Sequence, residues 1–395
     1  MKILHIIASV NPAGGGPIEG IQQLARANRR FNQDIEILSL DDPSEEFVKN
    51  FPLRVHAVGR GKLTYRYNPK LVEWLRENHH RYDVAIINGL WQYHSFGSWR
   101  VLHDTSLPYV VYTHGMLDPW FKEAYPLKHL KKLIYWPWAE YRVLRDAGAV
   151  LFTCEQERLL ARKSFPLYRA KEIVVGYGTS APHVEPESVR QEFFAQFPHL
   201  RGKRIALFLS RIHQKKGCDL LIQAFARELA ADPDWHLLLC GPDQVGLQPR
   251  LQKMADELGI GDRITWAGMV RGNTKWGAIY ASEIFVLPSH QENFGIVVAE
   301  ALACGVPALI SNKVNIWHEV QRDGAGIVAN DDMAGACQLL RQWQQMTPEA
   351  RATMRTNTER CFWQNFEVHN AAVNLLSTLH DVVQRAGGNS REVTL

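Results

Sequence analysis

The sequence predicts an α/β protein made of two doubly wound, parallel-sheet domains. Three observations carry this reading: short apolar runs rich in Ile and Val, longer helical patterns between them, and a turn-rich break that divides the alternation into two series. The first series has runs at Ile3 to Ser9, Ile35 to Leu40, Val84 to Asn88, Tyr109 to Thr113 and Val150 to Cys154. A second follows at Ile205 to Ser210, His236 to Cys240, Ile264 to Gly268, Ile284 to Pro288, Pro307 to Ser311 and Gly326 to Ala329. Continuous apolar runs of this length suit strands buried on both faces. The break lies between Gly176 and Arg204, so residues 1–178 form a first Rossmann-like domain, 179–203 a linker and 204–365 a second domain. Residues 366–395 are read as a C-terminal helix from about Phe366 to Gly387-Gly388, packing back towards the first domain, with a disordered polar tail from Asn389.

Composition bounds the function. A chain of 395 residues with 46% hydrophobic and 22% charged content has enough material for two or three cores. Its net charge of +4 is too small for nucleic-acid binding to be its main task. Cys154, Cys218, Cys240, Cys304, Cys337 and Cys361 are scattered and form no Cys-x-x-Cys pair, which argues against a disulfide framework or a zinc cluster and for a reducing compartment. No window has the roughly 18 consecutive apolar residues of a spanning helix, and the opening apolar run is too short for a secretion signal. The expected location is the cytoplasm, with any membrane contact peripheral.

Three loops at strand ends could carry chemistry. Gly14-Gly15-Gly16-Pro17 opens a helix with the stripe Ile18, Ile21, Leu24 and Ala25, where backbone N–H groups and the helix dipole can meet a phosphate. A dinucleotide fingerprint would need glycine where Glu19 stands, although Asp41 and Asp42 lie near the position of a ribose-binding acid; a plain tight turn is the alternative. In Ser210-Arg211-Ile212-His213-Gln214-Lys215-Lys216-Gly217, Arg211 and Lys216 are spaced to hold a diphosphate, one by a fork and the other by a point charge. The bland alternative is a solvated basic loop.

The third loop is the most specific. Between Pro288 and Pro307 a strand ends, a loop carries Glu292, and a helix starts near Gly295 with Glu300 about one turn inside. Carboxylates before and beside helix N–H groups suit the hydroxyls of a sugar and a ribose. An exposed loop acid and an acid complementing the helix dipole are the simpler readings.

Glu292 and Glu300 form a Glu-x7-Glu motif, followed by Glu-Ala-x-Ala-x-Gly-x-Pro, and with Arg211, Lys216 and the glycine loop they resemble the retaining GT-B glycosyltransferases of the "group 1" family. The resemblance spans essentially the whole chain. It implies two Rossmann-like domains facing across a cleft, a UDP- or GDP-linked sugar donor held mainly by the second domain, and an acceptor on the first. By the same likeness, Gly15, Gly16, Arg211, Lys216, Glu300 and the stretch Asn293, Phe294, Gly295 and Ile296 bind the donor, with Glu300 on its ribose. Glu292 and His114, the latter in Thr113-His114-Gly115 after a strand, are the implied catalytic residues. The linker Val175-Gly176-Tyr177-Gly178-Thr179 departs from the family's frequent Pro-Asn-Gly.

Such chemistry needs cations and helix termini aimed at the departing diphosphate, and no metal or other cofactor is expected. No Asp-x-Asp stands at a strand end. The implied acceptor is a glycan or a polyprenyl-linked saccharide of bacterial exopolysaccharide or lipopolysaccharide assembly. Residues Trp120 to Trp138 interleave aromatics with Lys122, Lys128, Lys131 and Lys132, as a segment seated on anionic lipid would. Against that, Leu127, Leu130, Ile134, Trp138 and Tyr141 fall at helical spacing and could be core. The cluster Trp91-Gln92-Tyr93-His94 reads mainly as buried packing. Rival functions are an NAD-dependent oxidoreductase using the glycine loop, a sugar-nucleotide 2-epimerase on the same fold, and a catalytically silent scaffold.

Overall fold

The computed structural model describes residues 1–28 and 33–392. They form two compact units, one of residues 1–178 together with the chain from Val368 onward, the other of Thr179–Glu367.

In the first unit, β1 (Lys2–Ile7), β2 (Asp34–Ser39), β3 (Arg54–Ala57), β4 (Val84–Asn88), β5 (Tyr109–Tyr112), β6 (Ala149–Phe152) and β7 (Glu172–Val174) form one parallel sheet in the order β3-β2-β1-β4-β5-β6-β7. Strand residues alternate between its faces: Leu4 and Ile6 join one buried cluster with Ile87 and Val111, while Ile7 joins another with Ile18, Ile21 and Ile37. In the second unit, β8 (Arg204–Leu209), β9 (Trp235–Cys240), β10 (Ile264–Gly268), β11 (Ile284–Leu287), β12 (Ala308–Ser311) and β13 (Gly326–Ala329) run in the order β10-β9-β8-β11-β12-β13. In both sheets the winding reverses beside the first strand, between β1 and β4 and between β8 and β11. At such a reversal the outgoing loops diverge and leave a crevice for ligand.

The structure differs from the sequence reading in several places. Strands β3 and β7 were not expected, because they are short and partly exposed and lack an apolar run. The stretch read as a linker with a helical run is part of the second unit. It contains the helix Pro186–Gln196, whose Val189 and Phe193 are buried against the helix Gly272–Tyr280. The two backbones approach so closely that a Cβ on Gly277 would lie 2.2 Å from the Val189 carbonyl oxygen. The run Val189-Arg190-Gln191-Glu192-Phe193-Phe194 reads as helical in the sequence, and the helix is there; it belongs to the second unit rather than to a separate linker.

Phe366 caps the helix Pro348–Asn365, and the last helix spans Val368–Glu392, past the glycine pair expected to end it. It packs on the helix Gly16–Asn28 of the first unit. Of the tail expected to be disordered, residues 393–395 lie outside the described residues.

Candidate active site

In the second unit the loops leaving β8 and β11 are stitched together. After β8 the chain makes a short 3-10 turn, Gln214–Lys216, capped by His213, whose Nδ1 accepts from the Lys215 N–H at 3.0 Å. Burial and the neighbouring Arg211, Lys215 and Lys216 hold His213 below its usual pKa, which keeps that nitrogen an acceptor. The Lys215 carbonyl then receives the His290 N–H at 2.8 Å and the Ser289 hydroxyl at 3.1 Å. Gly217 lies at φ 65°, and a Cβ there would stand 2.2 Å from the Pro288 carbonyl oxygen, so the two loops meet backbone to backbone.

This contact places Lys216 against Glu292. Lys216 is 4% exposed and its ammonium forms an ion pair with Glu292 Oε2, while Glu292 Oε1 accepts the Asn293 N–H at 3.1 Å. Burial works to raise the pKa of Glu292, but the charge and hydrogen bond of Lys216, with Lys215 and Arg211 nearby, outweigh it and leave the carboxyl below its ordinary range. The Glu292 backbone is anchored independently: its N–H donates to Lys313 at 2.9 Å and its carbonyl accepts from Asn315 at 3.0 Å. Gly295, at φ 74°, turns the chain into the helix Ile296–Ala303. Phe294 is buried edge-on against Phe366, fixing the turn from behind.

The other expected donor contacts fall into two groups. Arg211 is exposed, and among the described residues its one hydrogen-bond contact is a long one, 3.4 Å to Gln244 Oε1. Glu300 is buried and its Oε1 pairs with Lys275 at 2.7 Å, so any ribose hydroxyl must share this carboxylate with a lysine. The Asn293 N–H is already bonded to Glu292, which removes one of the amides expected to face a ligand.

In the first unit the glycine loop differs from a phosphate cradle. Pro12–Gly14 is a 3-10 turn, and the N–H groups of Gly14 and Gly15 are bonded to Asn11 and Pro12 carbonyls at 2.8 and 3.2 Å. The amides expected of Gly15 and Gly16 are thus reduced to that of Gly16, which opens the helix. Asp41 is equally committed, accepting from the Ser9 hydroxyl at 2.6 Å and the Val10 N–H at 2.8 Å. An acid that braces the β1 turn is poorly suited to bind a ribose, and this removes the main support for a dinucleotide site.

His114 follows β5 at φ 49°, and Gly115 follows at 74°. Two consecutive left-handed residues are held by Glu157, a buried acid that sequence reasoning missed. Its Oε1 accepts from the Thr113 hydroxyl and the Gly115 N–H at 2.7 and 2.6 Å, and its Oε2 from the Thr153 N–H and hydroxyl at 2.8 and 2.6 Å. The outgoing loops of β5 and β6 are therefore pinned by one carboxylate. The imidazole of His114 stacks on Tyr112, with ring centroids 4.8 Å apart and planes within 8°, and its Nε2 lies 3.3 Å from Asn88 Oδ1. His5 and His94 also contact Asn88. Burial, and for His114 also the neighbouring His5 and His94, lowers these histidines to about 4, 4 and 3 for His5, His94 and His114. All three are neutral at physiological pH. The signal in the sequence was a polar residue inside each of two apolar runs, His5 and Asn88.

At the end of β4, Trp91 packs on Trp136 and Phe165, and Tyr93 and His94 are buried, as packing residues would be. The stripe offered as possible core divides: Leu127, Leu130, Ile134 and Trp138 are exposed, the last two at 68%, whereas Tyr141 packs against the core beside the buried Trp136. The helix Pro126–Tyr135 turns His129, not these residues, inward. Among the described residues no group of three or more His, Cys, Asp or Glu side chains could hold a metal, and no helix is long and apolar enough to cross a membrane.

Two parallel doubly wound sheets, each with a crevice at its winding reversal, are the architecture of the GT-B fold. Residues 189–360 match the family described as glycosyl transferases group 1, residues 15–178 match the glycosyl transferase 4-like domain, and the chain belongs to the group 1 glycosyltransferases. It is 24% identical over 342 residues to the GDP-mannose:cellobiosyl-diphosphopolyprenol alpha-mannosyltransferase of Xanthomonas campestris, covering 84% of each chain. To the alpha-D-kanosaminyltransferase of Streptomyces kanamyceticus it is 28% identical, over 56% of this chain and 57% of that one. Among solved structures, sucrose-phosphate synthase from Thermosynechococcus elongatus superposes with a TM-score of 0.77 at 20% identity, covering 100% and 99% of the two chains. HepE of Anabaena, solved in complex with UDP, gives 0.78 at 18% identity, over 96% and 100%.

The Lys216–Glu292 ion pair yields a signed prediction. The fold favours the charged form of Glu292, so its contribution is present above the ordinary carboxylate range and is lost as the pH falls through its lowered value. In Lys216→Met burial acts without its main counterweight and the carboxyl rises. The variant should lose about 3 kcal/mol of stability near neutral pH, and the deficit should shrink at acidic pH, where Glu292 is protonated. Unfolding curves of both proteins across that range check it; a deficit independent of pH would refute the assigned electrostatics.

Proposed function

We propose that this glycosyltransferase moves a hexose, with retention and without a metal ion, from a UDP- or GDP-linked donor to a glycan or polyprenyl-linked saccharide in bacterial exopolysaccharide or lipopolysaccharide assembly. The observation that carries the reading is the ion pair of buried Lys216 with partly buried Glu292, beside the exposed Arg211 at the β8/β11 reversal. A cation neutralised only by a carboxylate that itself suits sugar hydroxyls can serve a diphosphate and its sugar together.

In this reading the anomeric C–O bond to the diphosphate breaks and its electron pair leaves with the phosphate oxygen. Arg211 and Lys216 bind the charge that develops there, and the leading N–H groups of the helix Ile296–Ala303 add their dipole. The acceptor hydroxyl oxygen attacks the same face of the sugar, and its proton passes to the departing phosphate. Glu292 orients the sugar and Glu300, shared with Lys275, the ribose. His114, neutral, contributes hydrogen bonding and not charge. The Xanthomonas relative, named for GDP-mannose and a diphosphopolyprenol acceptor, supports a lipid-linked acceptor. HepE, whose complexes contain UDP, keeps uridine open as the base.

The acceptor reading extends to the membrane. Leu127, Leu130, Ile134 and Trp138 make an exposed apolar stripe bordered by exposed Lys128 and Lys131, the combination that seats an amphipathic helix at the surface of anionic lipid. A cytoplasmic, peripherally bound enzyme would take a lipid-linked saccharide there.

Two experiments test these statements. In a thermal-shift titration with UDP, GDP, ADP, CMP and NAD, a selective, EDTA-insensitive rise with UDP or GDP is expected, since a ligand at 100 times its Kd adds about 2.7 kcal/mol. Lys216→Ala and Glu292→Ala should each lower kcat by about 100-fold or more in folded protein; near-normal turnover in both refutes the reading. In the second, the protein should sediment with anionic liposomes at low salt and Leu130→Glu/Ile134→Glu should stay in the supernatant. Equal behaviour of the two removes the membrane contact.

A further inference from the structure

We infer that Asn88 is a positioning residue that sets the tautomer of His114, holding its proton on Nε2 and leaving Nδ1 as a hydrogen-bond acceptor for a substrate hydroxyl. Asn88 ends β4, next to β1 at the point where the sheet reverses its winding. Its Nδ2 lies 3.0 Å from the Ile86 carbonyl oxygen, 3.4 Å from that of Ile6 and 3.2 Å from His5 Nδ1. Carbonyl oxygens only accept, so the amide nitrogen must face them; the flipped side chain would set three oxygens against one another.

That choice fixes the rest. With Nδ2 turned to Ile6 and Ile86, Oδ1 is the atom 3.3 Å from His114 Nε2. An amide oxygen has no proton to give, so Nε2 carries it, and a neutral imidazole has only one on its ring nitrogens. Nδ1 is then bare, and it makes no hydrogen bond to any described residue. The same logic applies around the hub: His94 Nε2 donates to the Asn88 main-chain oxygen at 2.8 Å, and His5 Nδ1 accepts from its amide.

The ring is also fixed in plane. Tyr112 stacks beneath it and Tyr177 stands edge-on at 6.1 Å. Burial keeps the imidazole unprotonated, so the tautomer persists over the physiological range. A bare nitrogen accepts from an O–H; a carboxylate or phosphate oxygen would meet it lone pair to lone pair. The identification of that O–H as a sugar hydroxyl rests on the proposed transferase reading, whereas the tautomer does not.

The test uses the full ¹⁵N-labelled chain and long-range ¹H–¹⁵N correlation of histidine rings, with His114 assigned by the signals lost in His114→Gln. Expected is a protonated Nε2 and a bare Nδ1, unchanged between about pH 8 and pH 5.5. A protonated Nδ1, averaged shifts or a titration in that window overturns the inference. In Asn88→Ala the His114 signals should move towards the average of the two tautomers, and kcat/KM should fall roughly 10- to 100-fold, the scale of a misplaced catalytic contact, while affinity for UDP or GDP alone is unchanged. Unchanged kcat/KM in folded Asn88→Ala overturns the positioning role. If Asn88→Ala does not fold, the wild-type spectra still decide the tautomer. Absence of transferase activity in the wild type would refute the proposed function and leave those spectra as they are.

Discussion

Asn88, His114, Lys216 and Glu292 stand at or just beyond the outgoing ends of parallel strands, and that placement follows from one constraint. Parallel strands joined by right-handed crossovers send all their outgoing loops to one edge of the sheet. Where the winding reverses, two of those loops part, and polar backbone can be exposed to a ligand without breaking the sheet. In the second unit the space is tuned by the approach of Gly217 to Pro288, which permits Lys216 to be buried beside Glu292. In the first unit the Glu157 carboxylate ties the β5 and β6 turns together and holds His114 in a backbone conformation it would not adopt alone.

The polar clusters of the two units use charge differently. The second unit keeps full charges, one cation and one anion in contact, so that each neutralises the other. The first keeps neutral polar groups, three histidines and an asparagine, in fixed donor and acceptor roles. Neutral groups in a buried network retain geometry without the desolvation cost of an ion.

The sequence revealed much of this and hid some of it for identifiable reasons. Eleven strands were legible as apolar runs, and β3 and β7 were not, because strands like Arg54–Ala57 bury too little to leave a pattern. The Arg211 to Lys216 and Glu292 to Glu300 loops were legible because residue type and spacing alone suggest their chemistry. Asn88 and Glu157 were not singled out, since their roles depend on register: only when β1 and β4 pair with Ile7 opposite Asn88 does His5 come within reach of its amide. The face of Leu127, Leu130 and Ile134 was ambiguous for a similar reason. Helical spacing says that they share a side of the helix and not whether that side meets the core.

The last helix changes how the molecule must be assembled. Val368–Glu392 packs on Gly16–Asn28, yet the whole second unit lies between them in the chain. During synthesis Thr179–Glu367 is complete before the segment that finishes the first unit has been made. The domain begun first is thus completed after the second, and until Val368–Glu392 has been made the helix Gly16–Asn28 lacks that partner for one face. Nascent chains that stall just before Val368 would carry a finished second unit and an open first one, a state that chaperones rather than ligands must guard.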